Sequence, residues 1–135
     1  PSYKLRQSLV RISASAHSDL QLSQRNNMRL AKIISVLGML AMSAVLIYGF
    51  TIGDFFAEGS QLAAMPWGIV SLVDLYTGFI LFSGWIIYRE KSLPIAILWT
   101  IAMMTLGFFA GALYAFLALQ SSENDWRKFW LGKHA

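Results

Sequence analysis

Asp74 is the one carboxylate in a long apolar segment, residues 66–88, whose composition otherwise suits a membrane-spanning helix. A central aspartate costs roughly 2.5–3.5 kcal/mol in a bilayer, even on a lenient insertion scale. On a helical projection Ser71, Thr77 and Gly78 share its face, so we predict that this face meets another helix. The carboxylate could serve as a structural hydrogen-bonding group, or it could bind a proton or a cation during transport.

Two tyrosines are candidate hydrogen-bond partners of Asp74, because their predicted depths in the membrane are close to that of Asp74. Asp74 lies about 12 Å from the start of its segment at about 1.5 Å per residue. If three apolar segments cross side by side, Tyr114 and Tyr48 come within about 4–6 Å of that depth. We therefore predict an intramembrane polar cluster, and its members are Asp74, Tyr114, Tyr48, Ser71 and Thr77.

The segments that would position this cluster are three apolar runs, at about residues 33–52, 66–88 and 94–119. Each is long enough to cross a bilayer, which needs about 20 residues. Backbone groups in lipid must be satisfied within the segment, so we predict an all-α membrane protein. Short connections favour an up-down-up bundle of three transmembrane helices within residues 28–120.

The composition supports a membrane protein and excludes several classes of site. The chain of 135 residues is 56% hydrophobic and 13% charged, whereas soluble domains are about 45–50% apolar and about 25% charged. It has no cysteine, and both histidines, His17 and His134, lie outside the apolar runs. No nucleotide-binding or metalloprotease motif is present. We therefore predict no enzyme activity, no catalytic residue, no metal site and no nucleic-acid partner.

The two ends of the chain differ from its centre. Residues 1–27 are basic and rich in serine, and they predict a helix that lies on the membrane surface or docks a partner. Met28 could be the natural start of the protein. Residues 121–135 predict an amphipathic interfacial tail, with Ser122 as the helix N-cap. Four tryptophans are predicted interfacial anchors, and these are Trp67, Trp85, Trp126 and Trp130.

Small residues predict where helices pack closely. The third run carries a stripe of glycine and alanine, which includes a GxxxG pattern from Gly107 to Gly111. We predict packing within the chain, although the stripe could also form the seam of a homodimer. The predicted packing residues are Gly107, Ala110, Gly111, Ala115 and Gly78.

The distribution of lysine and arginine predicts the orientation. Of the 11 basic residues, six precede the first run, two lie in residues 89–91 and three lie in the tail. By the positive-inside rule the N-terminus is predicted on the cytoplasm-equivalent side, with the C-terminus opposite. The membrane would be a bacterial inner membrane or an organellar membrane.

The second and third runs resemble a family of small integral membrane proteins of unknown function found in bacteria and plants. The pattern is a Pro-Trp pair, Asp-x-Tyr, a tryptophan and Tyr-x-Glu. It matches Pro66, Trp67, Asp74, Tyr76, Trp85, Tyr88 and Glu90. The resemblance covers about residues 28–119, and it implies the helical membrane architecture and a unit of Asp74 with Tyr76. It implies no substrate.

Together these features predict a non-catalytic accessory subunit that stabilises or helps assemble a larger membrane complex, of respiratory or photosynthetic type. Its partners would be membrane lipid and other membrane protein subunits, and a homodimer is possible. The sequence requires no cofactor, although its aromatic residues could contact lipid, quinone or pigment. The alternative is a small homo-oligomeric transporter, or another proton-coupled membrane protein, that uses Asp74.

Overall fold

The computed structural model describes residues 2–135, and helices account for nearly all of them. In chain order they are α1 (Ser2–Ile52), α2 (Phe55–Ala64), α3 (Pro66–Arg89), α4 (Leu93–Leu106), α5 (Phe108–Ser121) and α6 (Trp126–Leu131), followed by a 3-10 turn at Gly132–His134. The described residues contain no strand, so the all-α prediction is confirmed.

The first helix joins the predicted N-terminal extension and the first predicted span without a break. It has 51 residues, which corresponds to a length of about 76 Å. No proline occurs between Ser2 and Pro66, and the first glycine is Gly38, well inside the apolar run. The predicted boundary between residues 27 and 28 therefore lies within a continuous helix, at the position where packing against the rest of the chain begins with Met28. The described residues before Met28 are all exposed, so this part of α1 projects from the rest of the molecule.

The predicted single helix over residues 94–119 is wrong, because the run folds back on itself at Gly107. Gly107 has φ +65° and ψ −144°, and it separates α4 from α5. The rings of Trp99 and Tyr114 lie 5.2 Å apart, whereas a continuous helix would separate these residues by about 22 Å. Each arm of this hairpin has 14 residues and a length of about 21 Å, which is short of a bilayer core of about 30 Å.

Two helices in the described part of the chain, α1 and α3, are long and apolar enough to cross a membrane. The bounds of α3 agree with the predicted second span to within one residue, and Pro66 occupies its first turn. Proline suits that position because its missing N–H would have no partner there. The prediction of three membrane-crossing helices is not confirmed.

The hairpin lies between the two long helices. α5 packs against α1, and α4 packs against α3. The α1–α5 contact is antiparallel, because Met28 meets Ser122 and Gly38 faces Ala112. Met28, Ser122 and residues 89–92 lie at one end of the bundle, which we call the base. Residues 52–65 form the opposite end, which we call the far end.

The connection at the far end is itself helical. Asp54 caps α2 by accepting a hydrogen bond from the Ala57 amide at 3.2 Å, and Glu58 lies in the first turn of this helix. Both positions favour acidic residues because the helix N-terminus carries a partial positive charge. The sequence had indicated only a short connection between two spans in this region.

The C-terminal tail lies at the base, beside the part of α1 that contains Met28. α6 packs against α3 and α5, with Phe129 buried in the main hydrophobic cluster. The tail was predicted at the end opposite the N-terminal segment, and that prediction is wrong because the hairpin returns the chain to its starting end. The cluster it joins consists of Met28, Ile86, Ala96, Tyr114, Ala118, Leu119 and Phe129.

Candidate functional site

The structure does not assemble the predicted cluster around Asp74. The Asp74 side chain is exposed, and within residues 2–135 no hydrogen bond or ion pair reaches its carboxylate. Ser71 and Thr77 donate instead to carbonyls of their own helix, at 2.9 Å and 2.6 Å. Tyr48 is 63% exposed on α1. The prediction that Asp74 pairs with Tyr114 or Tyr48 within the chain is therefore wrong.

The reason is the turn of the hairpin. Gly107 faces Phe79 of α3, since a Cβ atom on Gly107 would lie 3.2 Å from the Phe79 ring. Asp74 precedes Phe79 by five residues, or about 7.5 Å towards the far end. The turn of the hairpin therefore lies at the level of Phe79 and stops short of Asp74.

Tyr114 is the centre of a different polar group at the base. Its hydroxyl donates to Glu90 Oε1 at 2.7 Å and accepts from Arg89 Nη1 at 3.3 Å. Arg89 also donates from Nε to the Phe129 carbonyl at 2.7 Å. We call Arg89, Glu90, Tyr114 and the Phe129 carbonyl the base cluster.

The base cluster contains an ion pair, Arg89 with Glu90, that is largely buried. Arg89 Nη1 lies 3.7 Å from Glu90 Oε1, and their side chains are only 10% and 22% exposed. Their opposite charges balance, and Tyr114 satisfies further hydrogen-bonding capacity of both. Burying an ion pair gives little net stability, but removing one member leaves a costly unpaired charge. The cluster therefore fixes where the tail docks more than it adds to the total stability.

Aromatic rings enclose the base cluster. Tyr114, which is 2% exposed, contacts Trp85 and Trp99 edge to face, with ring centroids 5.6 Å and 5.2 Å away. Trp85 also packs on Phe129 at 5.4 Å, and its indole N–H donates to the Trp130 carbonyl at 3.1 Å. Edge-to-face pairs add about 0.5–1.5 kcal/mol beyond simple burial. These contacts join α3, the hairpin and α6 at one point.

The four predicted tryptophan anchors have two kinds of environment. Trp67 is 80% exposed at the start of α3, and Trp130 is 56% exposed on α6. Trp85 and Trp126 are half-buried against the main hydrophobic cluster. The tail helix is capped by Asp125, whose carboxylate accepts from the Arg127 amide at 2.9 Å, and not by Ser122 as predicted.

The small-residue stripe packs inside the chain. Ala110 and Gly111 are buried, and a Cβ atom on Gly111 would lie 3.1 Å from the Met103 methyl group. Gly78 meets Phe108, Gly107 forms the turn and Ala115 is half-buried. A second GxxxG pattern runs from Gly49 to Gly53. Within residues 2–135, nothing lies within 4 Å of a Cβ atom placed on Gly49.

Sequence reasoning missed the base cluster and the turn. Residues 89–92 were predicted only as a tight polar turn between two spans, and the tail that Arg89 binds was expected at the other end. Two signals were present. Gly107 lies near the middle of the third run, with 13 residues before it and 12 after it, and three cations in the tail opposed the predicted orientation.

Each polar group of the base cluster is already paired with another. No group of three or more His, Cys, Asp or Glu residues that could hold a metal ion occurs in the described residues. Compared with protein-family models, with curated proteins and with solved structures, the chain matches none.

Proposed function

We propose that this chain is a non-catalytic subunit that packs into and stabilises a larger membrane protein complex. In this proposal α1 and α3 cross the bilayer, while the α4–α5 hairpin enters it from the base. The complex would be of respiratory or photosynthetic type, in a bacterial inner membrane or an organellar membrane. No cofactor is required for this role.

The exposed carboxylate of Asp74 is the observation that carries the proposal. It lies about 12 Å inside α3, at a level that the hairpin does not reach. A carboxylate that faces lipid at this depth is unfavourable by several kcal/mol, so intramembrane acids usually face protein and have a partner. Since the described residues supply none, a neighbouring chain is the natural source.

The charge distribution supports a revised orientation. All 11 lysines and arginines lie in residues 4–32, 89–91 and 127–133, which form the base and the projecting part of α1. The far end carries Asp54 and Glu58 and no cation. The positive-inside rule then favours both termini on the cytoplasm-equivalent side. This arrangement replaces the predicted orientation, in which the C-terminus lay opposite.

The projecting part of α1 is a second surface for a partner. Its apolar residues recur at helical spacing, so they form a stripe along one face. The clearest members, Leu5, Leu9 and Ile12, are 67%, 65% and 65% exposed. Nothing in the rest of the described chain covers this stripe. A docking role for this extension is therefore part of the proposal.

The family resemblance is kept as a proposal too. Three residues of its pattern, Trp85, Tyr88 and Glu90, have contacts at the base. Glu90 accepts from Tyr114, Trp85 donates to the tail, and Tyr88 stacks on His134 with ring centroids 4.3 Å apart. A pattern that preserves these residue types is consistent with a shared docking of the tail.

A small homo-oligomeric transporter is the second candidate, and the exposure of Asp74 also favours it. A second copy could cover Asp74, and protonation of that carboxylate could then be coupled to transport. A homodimer with the small-residue stripe of α5 as its seam is disfavoured, because these residues are already packed within the chain.

Isolation of the chain from its native membranes tests the proposal. With an affinity tag on the exposed N-terminal end, mild detergent should release a stoichiometric complex with unrelated membrane subunits. Asp74→Leu should abolish that complex, and Thr77→Val should preserve it, because Thr77 bonds only to its own helix. A homodimer alone would favour the transporter, and a solitary monomer would contradict both candidates.

A further inference from the structure

A groove between α1 and α5, next to the base, combines a cationic rim with an apolar floor. Its volume is about 280 Å³, and it is lined by Arg29, Lys32, Ile33, Val36, Leu37 and Phe116. It shares no residue with the base cluster and lies on another side of the hairpin from α3.

The rim has an unbalanced positive charge. Arg29 and Lys32 are three residues apart on α1, so they lie on one face of the helix. The ion pairs within residues 2–135 join Arg89 to Glu90 and Lys128 to Glu123, so neither rim cation is neutralised in that way. No acidic side chain lines the groove. An anion is the complementary ligand.

The floor continues directly from the rim into the apolar run. Ile33 and Leu37 follow Lys32 along α1, and the Phe116 ring closes the groove from α5. From Lys32 to Leu37 the helix rises about 7.5 Å. If α1 crosses the bilayer, the rim lies at the level of the lipid headgroups and the floor lies among the acyl chains.

We propose that this groove binds one anionic phospholipid. The phosphate contacts Arg29 and Lys32, and an acyl chain lies along Ile33, Val36 and Phe116. Arginine suits this role because its planar guanidinium can donate two parallel hydrogen bonds to a phosphate. The proposal rests on the membrane-crossing placement of α1 proposed above, but it does not depend on a partner complex.

The bound lipid bridges α1 and α5. A ligand that binds only the folded protein stabilises it in proportion to its concentration relative to the dissociation constant. The lipid therefore stabilises the hairpin against α1 at the groove that Val36 and Phe116 line.

Native mass spectrometry of the delipidated full-length chain in detergent tests this site. The chain is titrated with phosphatidylglycerol, with phosphatidylcholine of the same acyl chains, and with glycerol phosphate. We expect one phosphatidylglycerol per chain, bound more tightly than either of the other two. Arg29→Gln with Lys32→Gln should weaken that binding on the order of 30-fold.

The matched control is Lys4→Gln with Arg6→Gln, which removes the same charge from the projecting part of α1 and should leave binding unchanged. Leu37→Trp, a substitution at an exposed floor residue, should fill the groove and also weaken binding. Thermal unfolding without lipid verifies that each variant is folded. Equal binding of phosphatidylcholine, equal binding of glycerol phosphate, or equal losses in the two charge variants would each overturn the proposal.

Discussion

The hydroxyl of Ser122 lies 3.3 Å from the sulfur of Met28, across 94 positions of sequence. Both side chains are buried, at 1% and 0% exposure. The same hydroxyl donates to the Leu119 carbonyl at 2.7 Å, so it also closes the last turn of α5. This contact joins the segment after the hairpin to the start of the apolar part of α1.

That contact predicts the side of the membrane on which each end lies. Because the chain has no cysteine, single cysteines can be introduced at Ser15, Ser60 and Ala135, which are all exposed. A membrane-impermeant maleimide should label Ser15→Cys and Ala135→Cys from the same side of sealed vesicles. It should label Ser60→Cys only from the other side. Labelling of Ser15→Cys and Ala135→Cys from opposite sides would contradict the hairpin.

Gly107→Ala should destabilise the protein, because the turn requires a backbone conformation that other residues rarely adopt. At φ +65° a non-glycine residue costs about 1–3 kcal/mol, and its Cβ atom would press on the Phe79 ring. Thermal unfolding in detergent, followed by circular dichroism, measures the loss. Gly84→Ala is the control, since nothing lies within 4 Å of its Cβ position. That change should be neutral or stabilising by up to about 1 kcal/mol.

Arg89→Leu should release the C-terminal tail. The substitution removes the hydrogen bond to the Phe129 carbonyl and leaves Glu90 without its cation. Breaking a largely buried pair in this way costs about 3–5 kcal/mol. Limited proteolysis should then cleave the chain after Ser121 much faster than in the wild type. Lys128→Gln breaks only the exposed pair with Glu123 and should leave the cleavage rate unchanged.

Gly132→Ala should also release the tail, by a steric route. Gly132 has φ +53°, and a Cβ atom there would collide with the Arg89 backbone carbonyl. The tail can accept the methyl group only by moving away from α3. The fluorescence of Trp85 and Trp130 should shift towards that of solvent-exposed indole. Gly59→Ala, at an open position on α2, should leave the spectrum unchanged.

Ser83→Ala should leave stability unchanged or raise it. The Ser83 hydroxyl is buried and has no hydrogen-bond partner in the described chain, so its removal relieves a desolvation cost of about 1–3 kcal/mol. Ser122→Ala is the contrasting variant, because it removes a satisfied hydroxyl at the α1–α5 contact. It should lower the unfolding temperature. A lower unfolding temperature for Ser83→Ala would show that the hydroxyl has a partner.

Sequence reasoning predicted the all-helical fold and the bounds of α3, because apolar length and a proline at the first turn are local signals. It missed α2, although Asp54 and Glu58 occupy the positions expected at a helix start. It also treated residues 94–119 as continuous, because hydropathy does not detect a change in chain direction. Glycine is common inside membrane helices, so the presence of Gly107 alone did not predict a turn.

The error at Gly107 passed directly into the predicted site. The depth of Tyr114 was counted along one continuous third helix, which placed Tyr114 near Asp74. In the structure α5 runs back towards the base, and the partners of Tyr114 are Arg89 and Glu90. Arg89 is the last residue of α3 and Glu90 follows it, yet both bind a tyrosine that lies 25 and 24 positions away in sequence. The local sequence pattern does not indicate that Tyr114 pairs with Arg89 and Glu90, because this contact depends on the fold of the hairpin.

Because α1 is unbroken, any tilt of its apolar part also moves its projecting part. The distance from Ser2 to Met28 along the helix axis is about 39 Å, with neither proline nor glycine between them. A change of 10° in the tilt of α1, roughly half the usual tilt of a membrane helix, would swing the outer end by about 7 Å. If α1 crosses the bilayer as proposed, a partner held on Leu5 and Leu9 would be displaced by small changes in the tilt of the membrane-crossing part.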